Sequence, residues 1–316
     1  MIRKKYLFNS NQQKIVNNLN SLVDENINLL KRSCILCNSD DFESIAKVDR
    51  YGLQYYTGIC LKCGLTQQYK YPNETFINLF YEKFYNDLYA FFKNPEERFI
   101  SQFNSGEYKF NILKKYMNFD NTKSVLEIGC GAGGILSFFQ SKKCEVVGID
   151  YENDHLEYAR KKNILAYSNY EKINQKFDII ILSHVLEHLV SAENILDICK
   201  KLIKKDGLIY VEVPSIESIP KHYDCDIRNF LHIAHVTHFT KNTFINFMNV
   251  KGFNVKYMNN LIHSLVYPAE TNKKIINNYS DTKNILKIIK IKKFSIIPFL
   301  NIMKILKNII KKIILR

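Results

Sequence analysis

The chain has 316 residues, a hydrophobic fraction of 46% and a formal net charge of +14 at pH 7. Its apolar content predicts a folded protein with a sizeable core and excludes an intrinsically disordered chain. No segment has about eighteen uncharged apolar residues in a row and the start has no signal-peptide pattern, so we expect a cytoplasmic protein that does not span a membrane.

The first predicted element is an amphipathic helix within residues 11–32, where apolar residues recur at helical spacing. Two C-x-x-C pairs follow, Cys34 with Cys37 and Cys60 with Cys63. Four cysteine thiolates complete a tetrahedral zinc site and leave no open position, so we predict a structural zinc and place a redox or catalytic site second. Such a zinc would stabilise a module too small to fold around its own core.

Aromatic residues are dense between Tyr69 and Phe119, and the run that begins at Pro72 predicts a turn followed by a helix. Tyr81 and Tyr85 lie on this predicted helix. Their amphipathic rings suit packing of the helix face as well as contact with a ligand, and both interpretations stay open at this point.

A glycine-rich loop organises the rest of the chain. Residues 124–134 read S-V-L-E-I-G-C-G-A-G-G, an apolar strand that turns sharply into a helix. Gly129, Gly131 and Gly133 leave the backbone accessible, and the amides that open the helix attract a negative group. Because Gly129, Gly131 and Gly134 also satisfy G-x-G-x-x-G, a dinucleotide ligand is an alternative.

Two acidic residues narrow the choice of ligand. Glu127 lies two residues before the first glycine, where its carboxylate can receive an ammonium group or hold the loop. Asp150 ends the apolar run V-V-G-I-D about twenty residues after the loop, where an acid can accept both hydroxyls of a ribose.

Strands and helices alternate after the loop, which predicts an α/β fold with a doubly wound parallel sheet and a ligand crevice at the carboxyl ends of its strands. Predicted helices cover Ile135–Ser141 and Asn153–Lys162, and a later helix is capped by Thr240 and ended by Gly252. Predicted strands cover Glu145–Asp150, Phe177–Leu182, Phe253–Asn259 and Leu261–Tyr267.

Two further segments complete a set of motifs, F-D-I-I-I-L-S-H-V-L-E-H-L at 177–189 and L-I-K-K-D-G-L-I-Y-V-E-V-P at 202–214. In order and spacing the set resembles the class I S-adenosylmethionine-dependent methyltransferases over residues 122–268. The resemblance implies a Rossmann-like sheet of seven strands with S-adenosylmethionine as cofactor. The cofactor-binding residues that it implies are Glu127, Gly129, Cys130, Gly131, Gly133, Asp150, Tyr151, Ser183 and His184.

The run C-L-K-C-G-L-T-Q and the tyrosine-rich helix after it are similar to the zinc-bearing amino-terminal part of bacterial sugar methyltransferases. In those enzymes a tyrosine from this region reaches the substrate pocket, which implies Tyr81 or Tyr85 here. The predicted segments are an N-terminal helix (1–33), a four-cysteine zinc module (34–68), an aromatic-rich helical linker to the substrate pocket (69–120), the methyltransferase domain (121–268) and a basic amphipathic tail (269–316).

Most of the histidines lie in the half of such a fold that faces the acceptor, namely His184, His188, His222, His232, His235 and His238. Residues 184–188 also match the zinc-protease pattern H-x-x-E-H. They follow a predicted strand at the place where the methyltransferase pattern has S-H-V-L-E-H-L, so we set the protease hypothesis aside.

Two functional hypotheses account for these histidines. A-H-V-T-H-F aligns on the E-H-x-x-[YF]-F segment of the sugar methyltransferases, which implies His235 as general base, with His184 as second candidate. Ala234 replaces the acid of that segment, which favours methylation of a hydroxyl over that of a carbon. The other hypothesis is a metal site similar to that of small-RNA 2′-O-methyltransferases, with zinc, manganese or iron held by His184, Glu187, His188 and His235. The alternative to both is a purely structural role, in which Glu187 and His188 hold the strand-to-helix corner.

The resemblance favours O-methylation of a sugar in surface polysaccharide, lipopolysaccharide or nucleotide-sugar biosynthesis. One alternative is an RNA methyltransferase with a zinc-binding N-terminus, although S-H-V-L stands where enzymes that methylate amino nitrogens have N-P-P-Y. The other is a non-catalytic membrane-associated scaffold, which the intact Glu127 and Asp150 disfavour. No DNA partner is expected.

The positive charge is concentrated at the carboxyl terminus, where residues 271–316 hold eleven Lys and one Arg against Asp281. In Phe299–Arg316, apolar residues recur at steps of three and four and lysines occupy the opposite face. These lysines exclude a membrane-spanning helix, and we predict peripheral attachment to an anionic membrane surface on the inner face of the cytoplasmic membrane. Docking of the apolar face on the domain or on another subunit is the alternative.

Overall fold

The computed structural model describes residues 10–26, 29–85, 88, 94–119, 122–270 and 274–293. Within these residues the helices are α1 (Ser10–Asn26), α2 (Glu74–Lys83), α3 (Pro95–Leu113), α4 (Gly134–Ser141), α5 (Asn153–Lys161), α6 (Ala192–Leu202), α7 (Ile219–His222), α8 (Ile227–Phe230), α9 (Lys241–Val250) and α10 (residues 279–293). The strands are β1 (Leu30–Lys31), β2 (Phe42–Val48), β3 (Gln54–Cys60), β4 (Thr66–Tyr71), β5 (Ser124–Ile128), β6 (Glu145–Ile149), β7 (Leu165–Tyr167), β8 (Phe177–Ser183), β9 (Ile203–Glu212), β10 (Thr237–His238), β11 (Phe253–Met258) and β12 (His263–Pro268).

The contacts between residues divide the chain into two compact units. The first contains the described parts of Met1–Asn73, Ser215–Ile233 and Asn277–Arg316, and the second contains those of Glu74–Pro214 and Ala234–Ile276. The first unit is thus assembled from three separate stretches of the chain, whereas each predicted segment is continuous in sequence. The five segment boundaries given above stay predictions.

The second unit contains a seven-stranded sheet in the order β11-β12-β9-β8-β5-β6-β7. The strands from β9 to β7 pair in parallel, whereas β12 runs antiparallel to β9 and β11 antiparallel to β12. The predicted seven-stranded α/β sheet is confirmed, but it is mixed and not wholly parallel, because β11 and β12 run antiparallel. Because the chain builds outward from β5 in both directions, β5 and β8 flank the switch point at which ligands bind in such sheets.

The core of the second unit lies on both faces of the central strands. Val125 and Leu126 in β5 and Ile180 and Leu182 in β8 are fully buried, as expected for parallel strands covered by helices. A Cβ added to Gly134 would lie 2.1 Å from the carbonyl oxygen of Phe99, so glycine lets α3 and α4 approach closely. This packing brings α3 against the glycine loop.

The first unit contains an antiparallel sheet with the strand order β1-β4-β3-β2 that sequence analysis missed. Asp49 fixes the turn between β2 and β3, because its Oδ1 accepts hydrogen bonds from the backbone N–H of Tyr51 at 2.8 Å and of Leu53 at 3.0 Å. Its Oδ2 accepts one from Ile233 at 3.1 Å. The same carboxylate therefore ties the hairpin to the stretch Ser215–Ile233.

The N-terminal helix is shorter than predicted, because α1 ends at Asn26 and not near residue 32. Leu30 and Lys31 instead pair with Tyr71 and Lys70 as strand β1. Backbone pairing with β4 overrides the apolar spacing that suggested a longer helix.

The last strand begins at His263 and not at Leu261 as predicted. The side chain of Asn259 accepts hydrogen bonds from the backbone N–H of Leu261 at 2.9 Å and of His263 at 3.1 Å, and Ile262 has a φ of 57°. These contacts form a turn before β12.

No helix among the described residues is long and apolar enough to cross a membrane. The amphipathic segment predicted over Phe299–Arg316 lies outside the described residues. The basic residues 283–293 before it are described, and they form most of α10 in the first unit.

Candidate active site

The glycine loop joins β5 to α4 at the carboxyl edge of the sheet. Gly129, Gly131 and Gly133 have φ values of 78°, 52° and 81°, in the left-handed region that favours glycine. Asp150 braces this loop, because its Oδ2 accepts a hydrogen bond from the Gly131 N–H at 2.7 Å and its Oδ1 accepts one from Glu152 at 3.0 Å. The acid predicted to bind a ribose thus holds the loop and also borders the cavity beside it.

Glu127 is a buried acid on the wall of this cavity, with 1% of its surface exposed. Among the described residues, no hydrogen-bond donor reaches either of its carboxylate oxygens. Burial raises the pKa of Glu127 well above its usual range, although the positive charges of Lys109 and Arg98 oppose this shift. A buried carboxylate without a donor, at the edge of a cavity, fits a cationic ligand group.

Helix α3 borders the cavity with residues that sequence analysis missed, among them Arg98 and Gln102. The Gln102 side chain donates to the carbonyl oxygen of Cys130 at 3.1 Å and accepts from the Gly134 N–H at 3.4 Å. A Cβ on Gly131 would lie 2.8 Å from the Arg98 Nε, so the guanidinium group lies against the loop.

A sequence signal for α3 does exist. Asn94 caps the helix by accepting from the Glu97 N–H at 2.9 Å, and Pro95 with two glutamates occupies the first turn. This pattern predicts where the helix starts. It does not predict that the helix contacts the glycine loop some thirty positions later.

A buried ion pair lies beneath the site. Lys109 Nζ is 2.7 Å from Glu212 Oε2 and donates to Ser105 Oγ at 2.7 Å. Glu212 also accepts from Ser183 Oγ at 2.9 Å and lies 3.3 Å from His184 Nε2. Burial raises the pKa of Glu212, but His184 and Lys109 outweigh burial and hold it well below its usual range.

His184 is held between two carboxylates, with its Nδ1 3.1 Å from Glu187 Oε1 and its Nε2 3.3 Å from Glu212 Oε1. Burial lowers its pKa, whereas the hydrogen bonds to Glu187 and Glu212 raise it, and the net result is a pKa of about 10. The side chain is 54% exposed, so we attribute this shift to the two direct contacts. Both ring nitrogens of His184 are thus in contact with carboxylates.

Glu187, His188 and His235 form a tight cluster in which the potential ligand atoms all lie within 4.8 Å of one another. His188 Nδ1 is 3.0 Å from the carbonyl oxygen of Ala234, which assigns the proton to Nδ1 and leaves Nε2 as an acceptor. Burial lowers the pKa of His188. His235 is 8% exposed, and its Nε2 is 4.0 Å from Glu187 Oε1. These residues can form a histidine–carboxylate pair or hold a metal ion.

The two predicted tyrosines lie beside this cluster. The Tyr81 hydroxyl is 3.4 Å from His188 Nδ1, and the Tyr85 ring meets the His188 ring edge-on with centroids 6.2 Å apart. Phe80, next to Tyr81 in the chain, is buried, and its ring contacts both tyrosines. One apolar residue thus anchors the segment while the tyrosines face the cavity.

The cavity has a volume of about 1160 Å³ and gathers most of the residues chosen from the sequence. On its wall are Tyr81, Tyr85, Glu127, Gly129, Asp150, Tyr151, Ser183, His184, His188 and His235. Cys130 is instead buried in the hydrophobic core, and a Cβ on Gly133 would lie 2.7 Å from Ile164. These two residues shape the loop behind the wall.

The other histidines of the sequence cluster are placed differently. The His238 ring lies 5.9 Å from the His235 ring, and burial lowers its pKa to about 3. His222 and His232 belong to the first unit. Of the six, only His184, His188 and His235 border the described cavity.

The four cysteines of the first unit form a separate candidate metal centre. Cys34 Sγ lies 3.4 Å from Cys63 Sγ, Cys37 Sγ lies 3.4 Å from Cys60 Sγ, and all four sulfurs lie within 4.8 Å of one another. A disulfide would need about 2.05 Å, whereas zinc–sulfur bonds of about 2.3 Å place tetrahedral thiolates about 3.7 Å apart. The cluster therefore fits a zinc ion.

Gln67 braces the first cysteine pair. Its Oε1 accepts from the Ile35 N–H at 2.9 Å and its Nε2 donates to the carbonyl oxygen of Ser33 at 3.1 Å. The side chain on β4 thus fixes the backbone around Cys34.

A family model described as Methyltransferase domain matches residues 97–257, just over half of the chain. The ubiquinone biosynthesis O-methyltransferase of Glaesserella parasuis is 35% identical over 104 residues, which cover 28% of this chain and 44% of that protein. The enzyme of the same name from Pasteurella multocida is 33% identical over 109 residues, which cover 28% of this chain and 45% of that protein. The chain thus spans less than half the length of these relatives.

Among solved structures, the chain is similar to a putative S-adenosylmethionine dependent methyltransferase from Listeria monocytogenes. The TM-score is 0.40 and the identity 18%, and the match covers 52% of this chain and 96% of that one.

Proposed function

The chain belongs to the family described as Methyltransferase domain, and from this premise we propose that it transfers a methyl group from S-adenosylmethionine to a hydroxyl group of a sugar. The cofactor would supply the methyl group activated on a sulfonium. The observation that carries the proposal is one cavity bordered by the unpartnered Glu127, by Asp150 and by the cluster of Glu187, His188 and His235.

The residues present fit the cofactor's chemical groups. Glu127 would receive the ammonium of the methionine part, which explains a buried carboxylate without a donor. Arg98 would pair with the methionine carboxylate. Asp150 would accept the ribose hydroxyls with the lone pairs that its two loop contacts leave free.

At the acceptor, one proton has to leave the hydroxyl as its oxygen gains the methyl group. His235 would take this proton, and Glu187 at 4.0 Å would stabilise the imidazolium that forms. Tyr81 and Tyr85 would pack on the apolar face of a sugar ring. We assign the sugar to surface polysaccharide, lipopolysaccharide or nucleotide-sugar biosynthesis because the paired cysteines resemble those of bacterial sugar methyltransferases.

A phenolic hydroxyl is the second candidate acceptor. It is favoured by the names of two relatives, both O-methyltransferases of ubiquinone biosynthesis. The protein should be incubated with S-adenosylmethionine and parallel panels of nucleotide sugars and substituted phenols, and products should be followed by the mass of one added methyl group. Methylation confined to the phenols would overturn the sugar assignment, and no product together with no cofactor binding would overturn the proposed function.

Replacing His235 by alanine should lower the turnover number about a hundredfold or more, because general-base catalysis typically contributes that much. The affinity for S-adenosylmethionine, measured by calorimetry, should stay nearly unchanged. His222→Ala is the matched control, since this histidine belongs to the first unit and should leave the turnover number at the wild-type value.

A different result would reassign the cluster. If a chelator abolishes wild-type activity while the four cysteines retain their zinc, and manganese or zinc restores it, then Glu187, His188 and His235 hold a catalytic metal. Full activity of His235→Ala without any metal effect would remove this residue from the mechanism.

Replacing Asp150 by alanine should weaken S-adenosylmethionine binding by roughly 1.5 to 3 kcal/mol, the range for a hydrogen bond to a charged group. The variant also loses the brace on Gly131, so the loss should reach the upper half of that range. Calorimetry on the folded variant measures it, with the exposed Asp206→Ala as control. Unchanged affinity would contradict the assignment of Asp150.

A further inference from the structure

One face of α10 is fixed to the second cysteine pair within the first unit. Thr282 Oγ1 donates to the carbonyl oxygen of Gly64 at 2.9 Å, and the Asn278 N–H donates to that of Cys63 at 3.2 Å. Ile289, two turns after Thr282, is 4% exposed. These contacts identify the buried face of the helix.

The opposite face of α10 carries apolar and basic side chains together. Ile288 is 51% and Ile291 67% exposed. Lys287, Lys290 and Lys292 are exposed beside them, and no acidic residue occurs from residue 282 to the end of α10. At 100° per residue, Lys287, Ile288 and Ile291 point away from Thr282 and Ile289, and Lys290 and Lys292 lie on the two sides of the helix.

Two acidic residues of the first unit pair with lysines of α10. Glu43 lies 2.9 Å from Lys283, and Asp226 pairs with Lys293 and Arg228. Lys287 and Lys290 therefore place positive charge beside the two exposed isoleucines.

We propose that the outer face of α10 is a docking surface for an anionic lipid bilayer. The exposed isoleucines can enter the boundary between headgroups and acyl chains while the lysines contact the anionic headgroups. The phosphate backbone of a nucleic acid would contact the lysines but would leave Ile288 and Ile291 exposed to water. The charge and the apolar surface together therefore favour a lipid bilayer.

The test is flotation of the full chain with vesicles. The protein should float with vesicles of phosphatidylcholine and phosphatidylglycerol and should stay in the bottom fraction with vesicles of phosphatidylcholine alone. High salt should release it from the anionic vesicles. Reversing the charges of Lys287, Lys290 and Lys292 to Glu should lower the partition coefficient about a hundredfold or more, since each lysine near an anionic surface contributes about a factor of five. The control reverses Lys161, Lys172 and Lys176, which are exposed in the second unit and change the net charge equally.

Two results would overturn the proposal. Equal flotation of the two triple variants would show that only net charge matters, and binding of wild-type chain to RNA but not to anionic vesicles would assign the face to nucleic acid. Ile288→Ser with Ile291→Ser should lower vesicle binding without changing any charge. S-adenosylmethionine affinity measured on the same samples keeps this outcome separate from that of the proposed enzyme activity.

Discussion

Replacing Cys34 and Cys37 by alanine will remove about one zinc ion per chain and unfold the first unit. Structural zinc sites with four thiolates contribute an apparent free energy of about 10 kcal/mol or more at pH 7, which is comparable to the whole unfolding free energy of a domain, about 5–15 kcal/mol. The four sulfurs lie within 4.8 Å of one another in the described structure, so loss of two leaves a site that cannot hold the ion.

Metal analysis by mass spectrometry and thermal melting followed by circular dichroism measure this effect. The control replaces Cys144 and Cys199, which are also buried and free, so that the same number of thiols is removed. It should keep the zinc and lose only the few kcal/mol expected for small changes in a core. A wild-type protein that contains no metal and melts like the Cys34 and Cys37 variant would show that the cysteines are not a zinc site.

The central sheet is well predicted by the sequence because its signals are local. An unbroken apolar run such as Ile179–Leu182 can only belong to a buried strand or helix, and its length and flanking residues favour the strand. The glycines after β5 and the acid at the end of β6 have fixed spacing along the chain, so the loop and Asp150 can be located from the sequence alone. Glu187 and His188 are found in the same way, from a motif that follows a strand, whereas His235 was chosen because A-H-V-T-H-F resembles a segment of the sugar methyltransferases.

The N-terminal sheet could not be predicted because its strands are short and its side chains are mixed. In β4, which reads T-Q-Q-Y-K-Y, polar glutamines are buried, and their burial depends on distant partners such as the backbone around Cys34. Period-two alternation of polar and apolar residues, the usual sign of a strand, is absent there.

The ion pair of Lys109 and Glu212 was missed for a related reason, because the two residues are 103 positions apart. A partial signal existed. Lys109 shares a helix face with the buried residues Gly106 and Leu113, and a lysine at such a position needs a partner. Glu212 ends β9 directly beside Ser183 at the end of β8, in the register where parallel strands point their last residues at the ligand.

Replacing Lys109 by methionine should therefore lower the free energy of unfolding by about 3–5 kcal/mol, the usual cost of removing one partner of a buried ion pair. Lys109 is 1% and Glu212 12% exposed, so water cannot replace the missing charge. Both Glu212 and Glu127 would lose the positive charge of Lys109, which now opposes the rise in the pKa of Glu127, and no hydrogen-bond donor reaches the Glu127 carboxylate among the described residues. Urea unfolding followed by circular dichroism measures this loss. The control is Lys115→Met at an exposed position, which should change the free energy of unfolding by less than about 0.5 kcal/mol.

A double variant separates the ion pair from simple packing. Adding Glu212→Gln to Lys109→Met removes the buried carboxylate that has lost its lysine, so the double variant should be about 1–2 kcal/mol more stable than Lys109→Met alone. If the loss came from the missing lysine stem, the second change would add a further loss, because Ser183 and His184 would lose a charged acceptor. A double variant less stable than the single one would thus contradict the electrostatic origin that we assign to this pair.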